Sequence, residues 1–324
     1  MTDPGAIVLG GAPGPELHLL EVGATVQRLV VTGGDGVRRD VALGLADGAA
    51  VRASRLYVGS VVGRYANRIA RGRFELDGIE HELPLNDRGH HLHGGPEGFH
   101  TRAWTLVERT ATSATFELVS PAGDAGYPGE VTARASYDVA EHCVVLELTA
   151  TTTAPTLVNL TSHVYLNLHG AGPVDDHVVQ VPAGSYLPVD EVAIPTGDLA
   201  SVEGTRFDLR TPVRVGDIGG LDHDFAPDGS GWQRHVTLEA PGTRTRVEIW
   251  SDQPGLQVFT ADGFDGSEVD RDGVPLGRCA GIALEPQLHP DSPHHPGWPS
   301  AVLRPGETYR HRIEWRFSSI GSIQ

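Results

Sequence analysis

The sequence predicts an all-β protein, one large domain spanning residues 1–324. Short alternating or β-branched apolar runs recur along the chain, and each ends at a cluster of turn residues. Glycine (41) and proline (23) are frequent enough to punctuate many short strands, and few stretches keep a helical period. No linker, compositional break or internal repeat divides the chain, and 324 residues suit one large all-β unit.

Glu16–Leu20 and Ala24–Val31 read as the opening strands, parted at Gly23 and closed by Gly33-Gly34-Asp35-Gly36. The earlier Gly10-Gly11-Ala12-Pro13-Gly14 lacks dinucleotide-binding spacing, and its proline sets a turn where a helix would have to start. Gly63-Arg64-Tyr65-Ala66-Asn67-Arg68-Ile69 fits either a short helix or a strand. The next segment, Gly72–Leu76, alternates into Asp77-Gly78, a strong hairpin signal. Arg64, Arg68 and Arg71 together read as a solvated face, although Arg68 beside Asn67 can also serve as a fork toward a polyhydroxyl ligand. The loop from Asp87 to Gly95 carries His90, His91 and His93 and ends in paired glycines, so a ligand can approach its backbone closely. His100, just beyond, is expected at the surface.

Thr115–Ser120, Val131–Val139 and Val144–Thr153 are strands of ordinary length. The stretch Asn159-Leu160-Thr161-Ser162-His163-Val164-Tyr165-Leu166-Asn167-Leu168-His169 follows, and it is the centre of the chain. It places hydrogen-bonding and proton-transferring groups in a segment that otherwise reads as buried strand. Polar groups in such a place must be satisfied, a cost accepted where a pocket needs them. Taken alone, His163 reads more readily as a hydrogen-bonded core histidine than as a functional one. Leu221-Asp222-His223-Asp224-Phe225 forms a further polar cluster, which taken alone reads equally well as an exposed turn. Val247–Ser251, Leu256–Thr260 and Gly281–Leu284 resume the strands, with Gln257 inside one of them, and the last strand runs to Phe317. Glu285 sits between Leu284 and Pro286 at the end of an apolar strand. Burial there should raise its pKa and make it a better base near neutrality. The plain structural reading of Glu285 is an ion pair, with Arg68 as the natural partner.

Composition removes several functions. The net charge of -17 argues against nucleic acid and anionic membrane as partners. All 25 basic residues are arginine. That excludes a lysine Schiff base, lysine-linked pyridoxal phosphate and a P-loop lysine. Cys143 and Cys279 make no disulfide framework, and Met1-Thr2-Asp3-Pro4-Gly5 lacks the pattern of a secretion leader, so a cytoplasmic location is expected. The spacing His91-x-His93-x3-Glu97 admits a transition-metal reading, as in a cupin-like enzyme. No second motif supplies a further histidine ligand, and the expectation is no metal and no cofactor.

Taken together, the motifs resemble the aldose 1-epimerases, or galactose mutarotases. The resemblance runs from near residue 15 to Phe317. It rests on residues 63–69, Leu-His-Gly-Gly (92–95), Asn-Leu-Thr-Ser-His (159–163) and Asp-His-Asp-Phe (222–225). Gln-Pro-Gly-Leu-Gln (253–257), Leu-Glu-Pro-Gln (284–287) and Arg-Pro-Gly-Glu-Thr-Tyr (304–309) follow in the expected order. It implies the supersandwich fold of that family and an isomerase that interconverts the anomers of free hexoses by acid/base ring opening. It also implies Glu285 as general base, His163 as general acid, and Asn67, Arg68, His93, Asp222 and Gln257 as sugar-binding residues. The implied partner is a small aldose, and the chain is expected to be a monomer or homodimer. Ser162, Leu166, His90 and His91 depart from the family's usual residues, and these departures are expected to alter pocket shape and substrate preference. The alternatives are a hexose 6-phosphate epimerase, which needs a cationic phosphate pocket, and a non-catalytic sugar-binding sandwich.

Overall fold

The computed structural model describes residues 5–321. Met1–Pro4, read above for a leader, lie outside the described residues, as do 322–324. Two antiparallel sheets carry the architecture. The larger has nine strands, in the order Thr105–Arg109, Ser113–Ser120, Val131–Val139, Cys143–Thr152, Tyr309–Ser319, Thr245–Ser251, Gln233–Ala240, Val178–Gln180 and Val213–Arg214. The smaller has six, in the order Tyr165–Leu166, Ile282–Gln287, Gly255–Phe259, Asp222–Ala226, Ser185–Tyr186 and Ala200–Ser201. A four-stranded sheet begins the chain with Ile7–Gly10, Glu16–Leu20, Thr25–Thr32 and Arg38–Asp40. The two α-helices among the described residues, Gly48–Ala53 and Val215–Ile218, are short. No helix among those residues is long and apolar enough to cross a membrane.

Period-two patterning explains both sheets. Along Val131–Val139 the valine, alanine and tyrosine positions are buried while the residues between them are not. In the six-stranded sheet one face carries Phe225, Leu256, Val258, Ile282 and Leu284, which pack into the same core as Phe116, Leu146, Leu148, Ile249 and Ile313 of the larger sheet. Burying each such side chain is worth about 1.5–3 kcal/mol, so this shared core holds the layers together. The other face therefore presents the alternate residues. In register across three strands these are Asp224, Gln257 and Glu285, with Asp222 and Phe259 on the next rung.

Local signals resolve as expected in some places and not in others. Arg73–Leu76 and Ile79–Glu82 pair across Asp77-Gly78, whose φ values of 52° and 79° are those of the two central residues of a tight hairpin turn. The ambiguous segment 63–69 is neither a helix nor a long strand. Only Arg68–Ile69 is strand, and it pairs with His91–Leu92, which joins two distant motifs. At that junction Gly94 has φ 83°, and a Cβ there would lie 1.8 Å from the Gly63 carbonyl oxygen. No side chain fits, which is the physical reason for the paired glycines.

Two surface expectations fail. Arg64 is not solvated. It is 2% exposed, and its guanidinium donates to the Pro128, Gly129, Ser120 and Pro121 carbonyls and to the Ser120 and Thr156 hydroxyls at 2.7–3.3 Å. His100 is buried as well, with its ring 4.6 Å from that of Tyr57. A planar fork and an imidazole can both be buried where fixed acceptors or rings await them, and the local sequence does not show those partners.

Candidate active site

Asn159 pins the site together. Its side-chain oxygen accepts from the Leu288 backbone N–H at 3.1 Å, and its amide donates to the Ala66 carbonyl at 3.1 Å. Thr161 Oγ1 donates to the Pro286 carbonyl at 2.7 Å. One short stretch thus fixes both the 63–69 segment and the strand bearing Glu285. His163 is set by its own backbone, which donates to Ser60 O and accepts from Gly59 N.

These elements enclose a cavity of about 220 Å³. Asn67, Arg68, His93, His163, Asp222, Gln257 and Glu285 all line it, so every residue expected in the site is brought to one place. His163 Nε2 lies 3.5 Å from Glu285 Oε1, and both side chains are almost wholly buried. Arg68 Nε donates to Asp87 at 2.8 Å, and its Nη2 lies 3.7 Å from Asp222. Gln257 donates to Asp222 at 2.6 Å. Arg68 is therefore balanced by Asp87 and Asp222, and the ion pair to Glu285 expected from the plain structural reading does not form. Glu285 faces His163 instead.

Burial sets the proton affinities. It pushes the Glu285 carboxyl well above its ordinary value, with the Asp222 charge adding to the effect and Arg68 opposing it. Burial pulls His163 down to about 3 and His93 well below its usual range. Asp87 moves the other way. Burial would raise it, but the charge and hydrogen bond of Arg68 hold it low.

His93 has a fixed tautomer. Its Nδ1 accepts the Asn67 backbone N–H at 3.1 Å, so the ring hydrogen sits on Nε2 as a donor. One ligating atom each from His93, His163 and Glu285 lies within 4.8 Å of the others, a spacing that a metal could use. A histidine ligand, however, needs a bare nitrogen facing the ion and an N–H on the other side. In His93 one nitrogen is engaged by Asn67 and the other keeps its proton, so the trio suits a hydroxylated ligand better than a cation. The His91–His93–Glu97 trio does not assemble. His91 points away, to the Pro84 carbonyl and the Tyr127 hydroxyl, both at 2.8 Å, and Glu97 is exposed.

The sequence reading missed much of the wall. Tyr57 stacks 5.7 Å from the His163 ring and lies 4.6 Å from His93, and burial raises its hydroxyl to about 12. Tyr165, Phe259 and Phe264 also line the cavity. Only Tyr165 carried a signal, through its place in the central stretch. Asn67 and His93 adopt φ of 63° and 51° and Tyr57 adopts 57°, strained backbone gathered at one site. Ser162, Leu166, His90 and His91 line no part of the cavity, which corrects the expectation that these departures shape it. Leu166 is core, Ser162 lies in a two-residue strand against Val61, and His90 accepts from the Arg71 backbone.

The family model described as Aldose 1-epimerase matches residues 6–316. The chain belongs to the aldose 1-epimerase family. Bovine galactose mutarotase is 38% identical over 311 residues, covering 93% of this chain and 91% of that protein. The Escherichia coli aldose 1-epimerase is 34% identical over 327 residues, covering 96% and 94%. Among solved structures, a GalM/aldose epimerase homologue from C. elegans superposes with a TM-score of 0.94 at 28% identity, covering 98% of this chain and 99% of that one. The galactose 1-epimerase of Lactobacillus acidophilus gives 0.85 at 28% identity, covering 97% and 94%. The expected supersandwich fold of the aldose 1-epimerases is thus the fold of this chain.

Proposed function

We infer that the protein is an isomerase that interconverts the α and β anomers of free aldoses such as glucose and galactose. The observation that carries this reading is the buried His163–Glu285 pair, 3.5 Å apart on the floor of a cavity ringed with hydroxyl-binding groups. Mutarotation opens the pyranose, turns the aldehyde about C1–C2 and closes the ring from the other face. Opening needs one group to take the proton of the C1 hydroxyl and another to give one to the ring oxygen.

A single proton held between His163 and Glu285 serves both directions. With a closed sugar bound, Glu285 is the carboxylate base and His163 the imidazolium acid. Transfer leaves a carboxylic acid, a neutral imidazole and the open aldehyde. Burial favours that uncharged pairing in the empty site. Sugar hydroxyls, together with His93 Nε2–H, Arg68 and Gln257, supply the dipoles that make the charged pairing accessible. Arg68, Asp222 and Gln257 form one hydrogen-bonded and ion-paired row suited to neighbouring hydroxyls, and Asn67 orients His93. We read residues 1–324 as one domain, supported by a core cluster that includes Ile7 and Phe317. A cytoplasmic location and a monomer or homodimer fit this reading.

Polarimetry of fresh α-glucose and α-galactose tests it. Each positioned proton transfer is typically worth about 10²- to 10⁴-fold, so Glu285→Gln and His163→Gln should each lose rate in that range. Parental rates in folded variants would remove both roles. Saturable sugar binding by the parent without any acceleration would leave a binding module.

A further inference from the structure

One wall of the cavity holds a cation that the chemistry above does not use. Arg55 lines the pocket, is exposed, and has no side-chain hydrogen bond or ion pair among the described residues. In a chain with 42 carboxylates against 25 arginines, most guanidinium groups find an acceptor. Arg71 and Arg244 are the others without one, and neither lines the cavity. The nearest acidic residue to the Arg55 backbone, Glu268, accepts from the Arg55 N–H at 3.0 Å and makes no ion pair with its guanidinium. That bond ties the 261–268 loop alongside Arg55. On that loop Gly263 also lines the cavity, and a Cβ there would meet nothing within 4 Å. Arg55, whose guanidinium is unpaired, and the bare wall at Gly263 therefore line the same cavity.

The sugar's orientation says what would reach it. This step rests on the roles given above to His163 and Glu285. Glu285 must stand at the C1 hydroxyl and His163 at the ring oxygen. Gln257 is directly opposite Glu285 in the sheet and bonds Asp222, so C2 and its neighbours run toward Gln257, Asp222 and Arg68. C5 lies across the ring oxygen from C1, on the His163 side, and carries C6. His163 packs against Tyr57 and Tyr165, and the Tyr165 hydroxyl donates to the Leu56 carbonyl at 3.1 Å. C6 therefore leaves the ring toward residues 55–57.

We propose that Arg55 is a specificity-determining residue that binds an anionic group at C6 and so raises the rate on aldoses bearing a carboxylate or phosphate there relative to neutral hexoses. A guanidinium fork suits either oxyanion. The open wall at Gly263 leaves room for the added atoms. Because the site is solvent-facing, the gain is modest and sensitive to salt.

The test is the ratio of kcat/KM for an anionic sugar to kcat/KM for glucose. Glucuronate and glucose 6-phosphate are measured separately at low and high salt, in the parent, in Arg55→Gln and in Arg244→Gln. The expected ratio for at least one anionic sugar is about three- to tenfold higher in the parent than in Arg55→Gln, carried mainly by KM and lost at high salt. Arg244→Gln should keep the parental ratio. The sugar that shows the effect tells whether the anion is a carboxylate or a phosphate. Equal ratios in parent and Arg55→Gln, or an equal fall in Arg244→Gln, overturn the proposal. A parent that fails to turn over glucose or either anion overturns the isomerase reading itself, which is a separate outcome.

Discussion

Replacing Arg64 by methionine should remove a large part of the stability while changing no residue that lines the cavity. The guanidinium serves carbonyls and hydroxyls from three separate segments, around Ser120, Pro128 and Thr156. Burial already brings its pKa down to about 10, so the site holds the cation only because these acceptors compensate for lost water. Methionine fills similar space but leaves the acceptors dry. Hydrogen bonds to a charged group contribute about 1.5–3 kcal/mol each, but such values do not add, and breaking a buried charged network costs about 3–5 kcal/mol in total. Against the 5–15 kcal/mol that holds a typical domain, that is a third or more. Urea unfolding followed by tryptophan fluorescence measures it, and the slope should stay constant while the midpoint falls. Arg64→Lys should recover only part of the loss, since a point charge cannot reach acceptors on both sides of a fork. A methionine variant within about 1 kcal/mol of the parent would refute the view that this buried cation organises the 63–69 segment.

Other outcomes follow from the same geometry. The alkaline limb of kcat/KM belongs to loss of the shared proton, and the Asp222 charge helps hold Glu285 high, so Asp222→Asn should move that limb to lower pH by up to about one unit while raising KM. A shift to higher pH in a profile from pH 5 to 10 would contradict it. His91, His100 and His235 are held down to about 4, and His163 and His177 to about 3, all by burial. The unfolded chain therefore takes up protons first as pH falls below about 6.5. The stability that depends on neutral imidazoles is complete above that value and is lost toward pH 4, by roughly 1 kcal/mol per histidine per pH unit, with the raised Glu285 and Asp224 offsetting part of it. A urea midpoint that does not move between pH 7 and 5 would speak against this. Gly94→Ala puts a methyl group 1.8 Å from the Gly63 carbonyl, and a variant with parental thermal stability would show that the two loops are not in contact.

The sheet strands were readable because half-buried strands write their period into the sequence, as Val131–Val139 does. The meeting of Glu285 and His163 in one cavity was readable because each stands in a distinctive neighbourhood, and the resemblance joined them. Arg64, His100, Tyr57 and Asp87 were misread or passed over because their partners lie far along the chain. Thr156 is 92 residues from Arg64, and Asp87 is 19 from Arg68. A periodicity argument sees neighbours a few positions away and is blind to such closures. The departures at Ser162 and Leu166 misled for a related reason. Adjacency to His163 in sequence suggests adjacency in the pocket, but neighbouring positions on a strand face opposite ways.

That same alternation separates two kinds of variation. On Gly255–Phe259 and Ile282–Gln287, Leu256, Val258 and Leu284 serve the core, while Gln257 and Glu285 face the cavity. A library that randomises only the cavity-facing column, extended to Arg55 and Gly263, could explore new sugars without loosening the sandwich. The same number of changes spread along contiguous residues would mix failures of folding with failures of catalysis.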